Sequence, residues 1–195
     1  EVIENFQKEN ILDIKYHFIP NGFLYLAEKY SASVIDSEYI IRVDDDDELT
    51  DNCLEIFKCE FGKIEKEGIT DIGEIRALSI LDDGTIAGNY QPTLNQAPID
   101  TTYIERHLNT TTQLENIECR KVEIWKQLFS EDDHKKWLFE KINHISDSLF
   151  WCRLSKLCRT RYIFIALRKY HNTQVSLTHN LPKRTKQNVY NTVFS

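Results

Sequence analysis

The chain has 195 residues, enough for one sizeable core, and its 41% hydrophobic and 28% charged content is that of a globular domain rather than a disordered or fibrous chain. No apolar run approaches the ~18 residues of a membrane span, nothing near the start has the form of a signal peptide, and five cysteines without a CxxC pair argue for reduced thiols in a cytosolic protein. The net charge of −7 hides a polarised chain: residues 1–147 hold all 31 acids against 15 Lys and Arg, a net −16, while 148–195 holds 9 Lys and Arg and no acid. A basic end of this kind binds phosphates or anionic headgroups, or balances an acidic neighbour in its own fold. It shows neither an aromatic platform nor a helix-turn-helix pattern, which argues against a nucleic-acid partner. A chain without methionine that begins at Glu1 lacks an initiator, so a fragment or a processed chain is expected.

In chain order, Val2, Ile3 and Phe6 at helical spacing predict the end of a helix over 1–10. Alternation over Ile11–Ile19, closed by Pro20-Asn21-Gly22, predicts a strand and a turn. Phe23, Leu26, Ala27 and Tyr30 fit one helix face, and Tyr39–Val43 is a short β-prone run ending in four aspartates. Thr50 is placed to cap a helix lined by Leu54, Phe57, Phe61 and Ile64. Ala77–Leu81 and Thr85–Ala87 flank Asp82-Asp83-Gly84 as a β-hairpin, and 91–115 carries no readable pattern. A helix over Ser148–Leu157 and a strand at Tyr162–Ile165 follow. Alternating strand and helix favours an α/β sheet with helices on both faces. The expected division is a domain over 1–165 and a basic extension over 166–195.

The run Asp44-Asp45-Asp46-Asp47-Glu48 leaves a buried-type strand directly. In open α/β sheets, ligand sites gather at the carboxyl ends of strands. Carboxylates packed this densely repel one another unless a cation is present, and their hard oxygens suit Mg²⁺ or Mn²⁺, which can bridge a nucleotide's phosphates. A solvated acidic turn, a phosphotransferase aspartate (without its supporting motifs) and an EF-hand are the competing readings, the last with Asp44, Asp46, Glu48, Thr50, Asn52 and Glu55 at ligand spacing. Leu49 stands where its loop needs glycine, and the preceding segment is strand-like.

Asn21-Gly22, a helix, and then Ser37-Glu38-Tyr39-Ile40-Ile41-Arg42-Val43-Asp44-Asp45-Asp46-Asp47-Glu48-Leu49 resemble the "GEYI…DxDD" stretch of family 2 glycosyltransferases. Downstream, Asp147-Ser148-Leu149-Phe150-Trp151-Cys152-Arg153-Leu154, Thr160-Arg161-Tyr162-Ile163 and Leu167-Arg168-Lys169-Tyr170 are similar to that family's C-terminal signature. Ser37 replaces the family's usual glycine, Ala27-Glu28-Lys29 stands for its Ala-Arg-Asn, and Ser146-Asp147 for its Glu-Asp. The resemblance spans about residues 11–180 and lacks the family's first strand-helix-strand unit, which holds the nucleotide base.

The resemblance implies a GT-A (Rossmann-like) fold with a mixed central sheet. It implies an inverting, metal-dependent transfer from a UDP- or GDP-linked sugar to a saccharide or lipid-linked acceptor in bacterial surface polysaccharide synthesis. Asp44 and Asp46 would hold Mn²⁺ or Mg²⁺, with His171 or His179 completing the shell. Asp45, Lys29, Arg168 and Lys169 would meet the donor, and Asp147 (or Glu140 in another register) would be the general base. The basic end would suit a cytoplasmic enzyme touching the inner face of the membrane. A truncated, non-catalytic remnant and a calcium-binding module are the alternatives.

Overall fold

The computed structural model describes residues 2–9, 11–19, 23–109, 114–130 and 147–171. Its helices are α1 (Val2–Glu9), α2 (Phe23–Val34), α3 (Cys53–Lys66), α4 (Tyr103–Asn109), α5 (Val122–Leu128) and α6 (Asp147–Leu157). Its strands are β1 (Tyr39–Ile41), β2 (Glu48–Leu49), β3 (Ile72–Ile80), β4 (Ile99–Thr101), β5 (Asn116–Lys121) and β6 (Arg159–Lys169). They form one sheet in the order β1-β5-β3-β6-β2, with β4 also paired to β6. β3 and β6 run parallel and the other pairs antiparallel, so the fold is mixed α/β. Among the described residues no helix is long and apolar enough to cross a membrane.

Successive strand residues point to opposite faces, and here the two faces differ in chemistry. One carries Tyr39 and Ile41 of β1, Ile117 and Cys119 of β5, Ile75 and Ala77 of β3, and Ile163 and Leu167 of β6. Helix α3 lies against it through Cys53, Phe57, Phe61 and Ile64, a single helical stripe. Ile40, between Tyr39 and Ile41, points the other way and joins α2, α5 and α6 through Ala32, Trp125, Leu128, Phe150 and Leu154. Helices therefore cover both faces. On this second face the strands also bury Glu74, Arg76, Glu118, Arg120 and Thr160.

Helices at 2–9, 23–34 and 147–157 and a strand at 39–41 form where the sequence pattern places them. Ile11–Ile19 does not form a strand: among the described residues no strand pairs with it, and Phe18 is 86% exposed. The turn expected at 20–22 lies outside the described residues. Asn52, not Thr50, is the N-cap of α3, and Leu54 faces solvent while Cys53 takes its place in the stripe. Thr50 instead bonds Leu167, its N–H and its hydroxyl both reaching that carbonyl (3.0 and 3.4 Å). The expected hairpin is reduced to a tight turn with Gly84 at φ +80°, closed by a single Ile80–Ile86 bridge. β3 begins five residues earlier than Ala77, at Ile72, and β6 runs from Arg159 through Ile165 to Lys169, into the segment expected as an extension.

Gly73 is where β3 approaches α5 and the start of β6 most closely. A Cβ there would stand 2.7 Å from Cys158 Sγ and 2.8 Å from Ile124 Cγ1. Gly73→Ala should therefore overpack the interface and cost about 1–3 kcal/mol. Urea denaturation should show a lower midpoint with an unchanged m-value.

Candidate functional site

β1 delivers the acidic run and β2 takes it back into the sheet. Between them the Asp47 N–H closes a turn on the Asp44 carbonyl at 3.1 Å. Asp44, Asp45 and Asp46 are exposed, whereas the Asp47 side chain is 1% exposed and meets Arg168 Nη1 at 2.9 Å through Oδ2. Its other oxygen, Oδ1, is buried without a hydrogen-bond partner. Burial raises the Asp47 pKa, and the Arg168 charge only partly opposes this. Arg42 bridges inward, its Nη1 donating to Glu28 at 2.8 Å and its Nε lying 3.6 Å from Asp44. The segment before the loop is a strand rather than the entering helix of an EF-hand.

The second element of the site is a charged lattice on the buried face. Strand register aligns Arg120, Glu74 and Thr160 in one row across β5, β3 and β6, and Glu118, Arg76 and Tyr162 in the next. Glu74 is fully buried; its Oε1 accepts from Arg76 Nε at 2.6 Å and from Thr160 Oγ1 at 3.1 Å, and its Oε2 accepts from Arg120 Nε. Trp151 of α6 lies over both guanidiniums, 4.1 Å from Arg76 and 4.7 Å from Arg120. Burial pushes the Glu74 pKa up, but the two adjacent guanidiniums outweigh it and hold the carboxyl below its ordinary range.

The expected site residues are distributed as follows. Asp44, Asp45 and Asp46 share the exposed loop, and Lys29 is half-buried on α2 beside the buried Glu28. Arg168 is buried, its Nε donating to Ser79 Oγ at 2.8 Å as its Nη1 holds Asp47. Lys169 pairs with Glu48 at 3.2 Å. The ring nitrogens of His171 face Asp82 (2.8 Å) and Glu48 (3.5 Å). Asp147 is the first residue of α6. His179 and Glu140 lie outside the described residues. Among the described residues no group of three or more His, Cys, Asp or Glu is gathered so as to hold a metal ion. The Glu74–Arg76–Glu118–Arg120 lattice was not anticipated; its one sequence signal is charge repeating at i, i+2 in two short segments flanked by Ile and Cys.

No protein-family model and no curated protein matches this sequence.

A carboxylate with a lowered folded-state pKa contributes stability that is present above its unfolded pKa and lost as pH falls through the folded value. Glu74→Gln should cost about 3–5 kcal/mol at pH 7 by removing the buried carboxylate that both guanidiniums bond, leaving them only the more distant Glu118. That deficit should shrink as pH falls below the unfolded glutamate value of about 4.3 and on through the lower folded-state value of Glu74. Denaturation midpoints of both proteins from pH 7 downward test this; a deficit constant with pH counts against an ionised Glu74.

Proposed function

We propose that this chain is part of an inverting, metal-dependent glycosyltransferase of the GT-A type, moving a sugar from a nucleotide diphosphate to an acceptor hydroxyl. One observation carries the reading. The two segments that resemble family 2 glycosyltransferases, with Asp47 and Arg168 lying 121 positions apart, are side by side in the fold. Leu49 pairs with Arg168 and Glu48 with Lys169 in adjacent strands, and the Asp47–Arg168 ion pair fastens the acidic loop to that strand. The mixed sheet with helices on both faces is compatible with the same reading.

The donor set suits the expected ion. Mg²⁺ and Mn²⁺ take hard oxygens, and Mg²⁺ is commonly held by one or two carboxylates and completed by substrate phosphates and water. Exposed Asp44 and Asp46 offer carboxylates of that kind. When bound, such an ion neutralises charge that builds on a departing diphosphate. The protein's own part is positional. Arg42 restrains Asp44 from the inner side, and Arg168 holds Asp47 and so the base of the loop. With its guanidinium engaged by Asp47 and Ser79, Arg168 serves the donor by shaping this loop. Asp147, opening α6, accepts the proton of the attacking hydroxyl, a role that grows toward the transition state. Lipid-linked or saccharide acceptors at the cytoplasmic membrane face complete the proposal.

Calorimetric titration of UDP and GDP, with Mn²⁺ and then with EDTA, tests the reading on this chain and on one extended upstream. Binding should require the metal and should vanish in Asp46→Ala. Asp147→Asn should retain that binding while transfer falls about 10²–10⁴-fold. Nucleotide binding indifferent to both EDTA and Asp46→Ala would remove the acidic loop from the site.

A further inference from the structure

We draw no further inference here: the strongest candidate, the exposed apolar surface of α1, residues 11–19 and α2, on which Phe6, Leu12, Phe18 and Leu26 face solvent, carries none because nothing in the structure shows what covers it.

Discussion

Glu74 is the interaction on which the sheet depends. It has no contact with water and sits on the central strand, bonded to Arg120 on one flanking strand and Thr160 on the other. A buried ion pair stabilises little against a well-packed apolar core, but it is unforgiving of error. Slipping β3 by one residue would turn Glu74 toward Phe57 and Ile64 of α3 and bring Ile75 among the guanidiniums. The lattice therefore fixes register, and through register it fixes where β1 releases the acidic loop and where β6 meets it.

The acidic loop and the buried lattice handle charge in opposite ways. In the acidic loop the charges face water and only Asp47 is drawn inside, because β2 pairs with β6 immediately after it and Arg168 waits there. Under α6 the charges are enclosed and oppositely signed groups alternate along each strand, with an indole packed over them. Arg42 connects them, touching Asp44 and Glu28 and standing within electrostatic reach of Glu118.

Much of the helical part of the fold was legible, since α2, α3 and α6 carry apolar stripes at helical spacing. The strands were legible only where their buried side chains are apolar. Ala77–Leu81 and Tyr162–Ile165 read as strands, but their true extents include Glu74, Arg76, Arg161 and Arg168, charged residues that a hydrophobic pattern assigns to solvent. β5 went unread for the same reason, with Glu118 and Arg120 at its buried positions. Ile11–Ile19 failed in the opposite sense: it alternates well but has no strand to pair with among the described residues, and pairing rather than pattern makes a strand. In the candidate site, the acidic run announced itself, while the engagement of Arg168 with Asp47 required knowing that residues 121 positions apart are neighbours.

β6 has a temporal consequence. It pairs with β2, β3 and β4, all of which precede it by a long stretch of chain. Bringing such distant segments together requires closing long loops before any bond rewards it, which makes assembly slow. As the chain leaves the ribosome, β3 must wait with one edge open and Glu74 lacking Thr160, until Arg159–Lys169 has been made. A strand edge left open in this way is prone to pair with another chain. During synthesis the protein is thus most exposed to aggregation in the interval between β3 and β6, and a chaperone that shields that edge would act there.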